Sequence, residues 1–210
     1  SDVYKRQLHK TLTVSVQDQR VNVNVDAKQS IARAALELVR DGDTVFVDSG
    51  TTALEFVRML DMRTGITVIT ADITIADYID ESLPSVDVIM LGGELRKGHR
   101  YLFGPLTMAA IATIHADLAV ICPGAFVAGR GFVTDFPQMA EIKQAAMSAA
   151  SHSVALMDAS KLTSRGTYCF APIHAVDHIV IDKDDEGTLS DALAKLPNDA
   201  KRPQLIVTTE

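Results

Sequence analysis

The sequence predicts an α/β fold with a mostly parallel sheet and helices on both faces. Short, almost continuously apolar runs alternate along the chain with amphipathic stretches of helical period. This alternation is typical of buried parallel strands joined by crossover helices. The turns that follow the apolar runs are small, hydroxylic or charged. Since ligands of such sheets bind beyond the carboxyl ends of the strands, these turns are the first place to look for a site.

A regular pattern begins at Asp26. Asp26 and Gln29 have the spacing of a capping box, and apolar residues between 31 and 39 give one helical face that should end at Arg40-Asp41-Gly42. Strands are predicted at 44–47, 66–69, 86–91, 118–121, 154–157, 178–181 and 205–207. Helices are predicted at 52–60, 73–81, 105–114, 138–150 and 188–196.

Residues 1–25 are polar and weakly patterned, although residues 11–16 alternate and form a candidate short strand. Ser1 to Gln7 fit nothing that follows. We therefore expect residues 1–25 to be a leader, partly non-native or linker, and residues 26–210 to form one domain.

Composition restricts the class of protein. The net charge of −7 repels a polyanionic duplex, so the chain alone should bind nucleic acid poorly. No apolar run approaches the roughly 18 residues of a membrane span, and no signal peptide is visible. The two cysteines, Cys122 and Cys169, lie in no motif, which favours a reduced cytoplasmic protein.

The strongest functional signal is the turn from Asp48 to Thr52. It follows a β-branched run and precedes an amphipathic helix, whose first backbone N–H groups and dipole favour an anion. Gly50 permits close approach of the backbone, and Ser49, Thr51 and Thr52 add hydroxyl donors. We predict that this turn holds a phosphate or carboxylate of a small metabolite. Asp48 would fix the turn or accept from a sugar hydroxyl, and the alternative is an ordinary capped turn.

An ordered set of further segments carries a resemblance to a known family. The segments are Ile31-Ala32, Gly42-Asp43-Thr44, Asp48 to Thr52, Ile66 to Thr70, Leu91 to Arg96, Gly104-Pro105, Gly131 to Thr134, Glu141-Ile142-Lys143 and Asp158 to Lys161. With them, the chain resembles the C-terminal sensor domain of DeoR-family transcriptional regulators from about Asp26 to Asp182. Two departures are Ala71, where the family usually has Asn, and Pro123 in a run that is commonly Ala/Ser-Gly-Ile/Val.

The resemblance implies a Rossmann-like sensor fold similar to ribose-phosphate isomerases and CoA-transferases. It implies a phosphorylated sugar or related metabolite as effector, no cofactor, and a homo-oligomer. The effector would alter DNA binding by an N-terminal winged helix-turn-helix domain. Residues 1–25 are too few and too poorly helical to hold such a domain, so we expect it to be absent from this chain.

Other turns supply candidate ligand contacts, each with a structural alternative. Gly92 and Gly93 allow close backbone approach or simply form a tight turn. The basic segment from Arg96 to Tyr101 is either a mobile cationic flap over an anion or a solvated loop. Asp158 and Lys161 either bind a sugar hydroxyl and a phosphate or form a turn pair.

The resemblance also makes Lys143 a candidate ligand contact rather than a surface lysine. The expected ligand-binding residues are Asp48, Ser49, Gly50, Thr51, Thr52, Thr70, Gly92, Gly93, Arg100, Tyr101, Gly124, Asp135, Lys143, Asp158 and Lys161. No metal site is expected, because Pro172 and a predicted strand at His178 remove helical spacing from His174 and His178.

Two other functions stay open at this point. The first is a sugar-phosphate isomerase in which Asp135 or Glu141 acts as the base and Lys143 stabilises an enediolate. The second is a domain that binds no ligand and serves only for association.

Overall fold

The computed structural model describes residues 20–208, so the candidate strand at 11–16 and the segment from Ser1 to Gln7 lie outside the described residues. Its helices are α1 (Val25–Leu36), α2 (Thr51–Arg58), α3 (Ile73–Ser82), α4 (Pro105–Ile111), α5 (Pro137–Ser148) and α6 (Thr188–Ala194). Its strands are β1 (Thr44–Val47), β2 (Thr67–Thr70), β3 (Asp87–Met90), β4 (Glu94–Arg96), β5 (Tyr101–Phe103), β6 (Ala116–Ile121), β7 (Ala125–Val127), β8 (Gly131–Thr134), β9 (Ala150–Met157), β10 (Tyr168–Ala171), β11 (His178–Ile181) and β12 (Gln204–Val207). Short 3-10 helices lie at Leu60–Met62, Ala159–Leu162 and Ile173–Ala175.

Seven strands form one parallel sheet in the order β12-β11-β9-β6-β1-β2-β3. The predicted α/β class with a parallel sheet is therefore confirmed. From β1 the chain moves outward in one direction through β2 and β3, and it then returns to add β6 on the other side of β1. Such a reversal opens a crevice beyond the carboxyl ends of the two strands, here β1 and β6.

The central strands divide the apolar interior into two cores, because alternate side chains point to opposite faces. Val45 and Val47 of β1 pack with α1, α2 and α3 on one face. Phe46 packs on the other face with α4, α5 and α6. The same alternation recurs in β6 and β9, which explains why the strands are apolar along their whole length.

Helix α1 corrects the prediction at both ends. It begins after Asn24, which has a left-handed backbone and no side-chain cap, so Asp26 lies inside the helix instead of capping it. It ends at Leu36, before the predicted stop at Gly42. The reason is a tertiary cap: Arg63 donates from Nη2 to the carbonyl of Leu36 (3.0 Å) and from Nε to the carbonyl of Val39 (2.9 Å).

Five short strands were missed by the sequence prediction. β4 and β5 form a hairpin. β10, β8 and β7 form a small antiparallel sheet, which contributes Phe126, Phe132 and Phe170 to the core that contains Phe46. These strands lie outside the parallel sheet, so the alternation of apolar runs with helices does not indicate them. The helix predicted at 138–150 also ends early, because β9 begins at Ala150.

Candidate functional site

A cavity of about 680 Å³ opens at the carboxyl edge of the sheet, where β1 and β6 diverge. Its walls are the turns after β1, β2, β6, β8 and β9, together with the hairpin β4–β5. The segment that leads into α1 and the residues after the 3-10 helix Ala159–Leu162 complete it. Elements distant in sequence therefore converge on the crevice that the strand order creates.

The amino end of α2 lies in the wall of this cavity. Gly50 is the N-cap residue with φ of 138°, a left-handed value that favours glycine, and no side chain caps the helix. Ser49, Thr51 and Thr52 line the cavity beside it. The first backbone N–H groups of α2 have no partner within the helix, and together with these hydroxyls they form a group of hydrogen-bond donors whose chemistry suits an anion.

Behind this turn, Asp48 and Lys143 form a buried ion pair in which each residue is at most 3% exposed. The Asp48 carboxylate also accepts from the backbone N–H groups of Ser49 and Cys122, each at 2.8 Å. Lys143 donates to the carbonyl of Cys122 at 3.0 Å. Asp48 therefore ties the turn after β1 to the turn after β6 and to α5, while Lys143 also faces the cavity.

The cavity carries more positive than negative side chains, although the whole chain has a net charge of −7. Its cationic lining residues are Arg20, Lys28, Arg96, Lys143, Lys161 and Arg165. Its carboxylates are Asp72, Asp135 and Asp158. Asp48 neutralises Lys143, so five other cations stand against three carboxylates, and this excess of positive charge favours an anionic occupant.

Arg96 is held in place by aromatic neighbours. Its guanidinium lies 4.0 Å from the ring centroid of Phe136 and 5.5 Å from that of Tyr101, and it donates to the Tyr101 hydroxyl. Burial raises the pKa of Tyr101, so its phenol stays protonated at neutral pH. Burial and then Arg96 lower the pKa of His99, which keeps that imidazole neutral.

Cys122 contributes a half-buried residue to the cavity wall, directly after β6. Burial, and after it the charge of Asp48, raises the pKa of the Cys122 thiol to about 12. The thiol is therefore protonated at neutral pH and is a poor nucleophile.

The structure brings most of the predicted site residues together. Ten of them line the cavity: Ser49, Gly50, Thr51, Thr52, Tyr101, Gly124, Asp135, Lys143, Asp158 and Lys161. Asp158 is oriented by hydrogen bonds that its Oδ1 accepts from the Ser160 N–H (3.0 Å) and the Asn24 amide (3.2 Å). A contact between these residues and a ligand stays a prediction.

The other predicted residues lie outside the cavity lining, and Asp48 is one of them. The Thr70 hydroxyl accepts from the backbone of Asp72 at 3.1 Å. The Gly92 carbonyl accepts from the Thr107 hydroxyl at 2.6 Å, and a Cβ on Gly93 would lie 2.2 Å from that hydroxyl oxygen. Arg100 turns to α3, where it pairs with Asp77 at 2.8 Å. These residues have packing roles that the sequence did not reveal.

Sequence reasoning missed Lys28, which lines the cavity and is only 4% exposed. The available signal was its place in α1, on the same helical stripe as the buried residues Ile31, Ala32 and Ala35. A lysine inside an apolar stripe must reach either a partner or a polar cavity. Arg20 and Arg165 had no comparable signal, because Arg20 precedes the regular pattern that begins at Asp26 and Arg165 lies in an irregular segment.

The structure is thus a parallel α/β domain with a cation-rich cavity at its strand reversal. Residues 23–183 match the DeoR C terminal sensor domain, and the chain therefore belongs to the DeoR family. The segments that carried the resemblance lie within these residues.

Relatives with assigned names are transcriptional regulators. The HTH-type transcriptional repressor GlcR of Bacillus subtilis is 28% identical over 91% of this chain and 71% of its own length. The HTH-type transcriptional regulator GolR of Listeria innocua is 29% identical over 88% of this chain and 70% of its own. GlpR of Haloferax volcanii is 29% identical over 79% of this chain and 63% of its own length. The chain thus spans about two thirds of these relatives.

Two solved structures are similar to this chain at low sequence identity. Translation initiation factor eIF-2B of Pyrococcus horikoshii superposes with a TM-score of 0.52 at 16% identity, over 73% of this chain and 61% of that one. Ribose 5-phosphate isomerase A of Methanocaldococcus jannaschii gives a TM-score of 0.49 at 19% identity, over 66% of this chain and 55% of that one. The first likeness supports the α/β class. In residues 20–208 no helix has the length and apolarity to cross a membrane.

Proposed function

We propose that the cavity binds a phosphorylated sugar or a related anionic metabolite. The observation that carries this proposal is the excess of cations around an uncapped helix start, in a protein that is otherwise acidic. A phosphate monoester carries between one and two negative charges at neutral pH, and it accepts from backbone N–H groups, hydroxyls and lysines alike. Asp135 and Asp158 are acceptors for the hydroxyls of the sugar.

We further propose that this domain is the non-catalytic sensor of a cytoplasmic, homo-oligomeric regulator that reads DNA through a separate N-terminal domain. The names of the relatives, all of them regulators, support this role. The effector would bind one arrangement of the protein better than another and thereby shift the affinity for DNA. A coupling of about 1–3 kcal/mol is sufficient for such a switch.

The proposal is tested by calorimetric titration with ribose 5-phosphate, fructose 1-phosphate, fructose 6-phosphate and the corresponding unphosphorylated sugars. We expect at least one phosphate ester to bind and its neutral parent to bind far more weakly. Lys161→Gln and Thr51→Ala should each weaken binding, Lys161→Gln by about 10- to 100-fold, since a charged hydrogen bond contributes about 1.5–3 kcal/mol. Lys195→Gln, an exposed lysine outside the cavity, is the matched control. Equal losses in all three variants would contradict the site.

The absence of catalysis needs its own experiment, since an isomerase is the alternative. Asp135 lines the cavity, but Glu141 is exposed and outside the lining, and Lys143 is held by Asp48. We expect no conversion of ribose 5-phosphate or fructose 6-phosphate in NMR spectra over hours. Turnover that disappears in Asp135→Asn would establish an enzyme instead.

A further inference from the structure

The wall of the cavity includes the segment that precedes the sheet in the chain. Arg20, Asn24 and Lys28 all line the cavity. The Lys28 ammonium donates to the backbone carbonyl of Arg20 at 2.7 Å, and the Asn24 amide donates to Asp158 at 3.2 Å. The segment 20–24 is thus attached to the binding cavity from two sides.

The charge of Lys28 is poorly compensated. Burial lowers the pKa of this lysine, and only the attraction of Asp158 and Glu55 opposes the effect, while Lys161 and Arg20 reinforce it. Within residues 20–208, no carboxylate comes close enough to Lys28 to form an ion pair. An ammonium has three donors, and the hydrogen bond to Arg20 uses one of them. A buried cation with remaining donors at a cavity is suited to an anion.

We propose that Lys28 binds the anionic group of the effector while it holds the Arg20 carbonyl, so that effector binding fixes the segment 20–24. This inference rests on the proposed function, because it assigns Lys28 to the same anionic ligand. The effector supplies the counter-charge that Lys28 lacks, and the ammonium then holds the carbonyl more firmly. Order in the cavity is thereby transmitted to the chain immediately before α1.

This arrangement gives the site a route for regulation. Segment 20–24 joins α1 to whatever precedes it in a full regulator, so its order would determine how that part is oriented. By linkage, a partner that holds the segment in place would strengthen effector binding by the same factor.

The experiment combines calorimetry with hydrogen exchange of the 210-residue chain. The probes are ribose 5-phosphate, fructose 6-phosphate and inorganic phosphate. For a probe that binds, we expect slower amide exchange both in residues 20–24 and in the turn 49–53. Lys28→Met keeps the apolar stem of the side chain. It should bind at least 10-fold more weakly and should lose protection of 20–24 even at saturation, while 49–53 stays protected.

Matched variants separate this role from a general loss of charge or fold. Lys161→Met should weaken binding but retain protection of 20–24 at saturation, and Lys195→Met should change neither quantity. Lys28→Arg keeps the charge and should retain most of the affinity. This result would show that the weaker binding of Lys28→Met comes from the lost charge and not from misfolding. Wild-type affinity in Lys28→Met, or protected 20–24 amides in that variant, would overturn the inference alone. Failure of every probe to bind the wild-type chain would overturn the proposed function and this inference with it.

Discussion

At the scale of single residues, the buried pair of Asp48 and Lys143 organises the site. Each charge is almost fully removed from water, and each has backbone partners in the turn after β6 as well as the other charge. The pair joins β1, β6 and α5 at the point where the cavity opens. Removing one partner of such a pair is costly, because the other charge is left buried and uncompensated.

Lys143→Met should therefore lower the free energy of unfolding by about 3 kcal/mol. Urea denaturation of the variant and the wild type measures this difference. The control is Arg100→Gln, which breaks the exposed pair with Asp77 and should cost less than about 1 kcal/mol. The double variant Asp48→Asn/Lys143→Met should recover part of the loss. Equal losses of unfolding free energy in Lys143→Met and Arg100→Gln would contradict the stabilising role of the buried pair.

The same residues show what a sequence can reveal about a site. The turn from Asp48 to Thr52 was recognisable because its strand, glycine, hydroxyls and helix are adjacent in the chain. The role of Asp48 as the partner of Lys143 was not, since 95 positions separate the two residues. Lys28 was missed because its cavity is made by other segments.

At the scale of elements, the hairpin β4–β5 covers one side of the cavity with Arg96 and Tyr101. Its second strand is bound to the turn after β2: the Leu102 N–H donates to the Ala71 carbonyl at 2.9 Å, and the Ile73 N–H donates to the Arg100 carbonyl at 2.8 Å. At its base, Gly93 has φ of 151° and is packed against Phe103 and Thr107.

Gly93→Ala should destabilise the protein by more than about 2 kcal/mol, because its Cβ would lie 2.2 Å from the Thr107 hydroxyl oxygen and 2.5 Å from the Phe103 carbonyl oxygen. Gly98→Ala is the control within the same hairpin. Its φ is 79°, but nothing lies within 4 Å of the added Cβ, so it should cost only about 1 kcal/mol. Thermal unfolding of both variants distinguishes steric overlap from backbone strain. A smaller loss for Gly93→Ala than for Gly98→Ala would contradict the packing described for the hairpin.

The strands of the parallel sheet were predictable and those of the two small antiparallel sheets were not, for a physical reason. Strands buried on both faces and helices with a clear apolar stripe are recognisable from the local sequence. The bounds predicted for β1 and β11 agree with the structure to the residue. β7, β8 and β10 are stabilised by ring contacts such as Phe126 with Phe132, whose centroids lie 5.5 Å apart. Such contacts depend on the tertiary structure, and the same is true of the Arg63 cap that ends α1.

At the scale of the whole molecule, charge is separated between surface and cavity. The chain has a net charge of −7, while its cavity has six cationic side chains and three carboxylates. Attraction of an anion into the cavity should therefore depend on ionic strength, since the Debye length falls from about 30 Å at 0.01 M to about 3 Å at 1 M.

We expect the dissociation constant of a bound phosphate ester to rise with salt, and we expect Lys161→Gln to reduce the slope of its logarithm against the logarithm of salt concentration. Titrations at four sodium chloride concentrations measure both slopes. Lys195→Gln should retain the wild-type slope, because that residue lies outside the cavity. A slope unaffected by Lys161→Gln would show that this lysine contributes no charge to binding.

The cavity wall and the two cores are formed by largely different parts of the chain, and this separation has a practical consequence. Among the described residues of the seven central strands, only Leu156 reaches the cavity wall, whereas the two cores are built mainly from those strands, the helices and the small antiparallel sheet β10-β8-β7. The residues that line the cavity and the buried apolar residues of the cores are thus largely different, and Tyr101, Met139 and Leu156 belong to both sets. Libraries confined to the loops after β1, β6 and β9, with Asp48 retained as the partner of Lys143, should therefore change the cavity lining and leave the two cores intact.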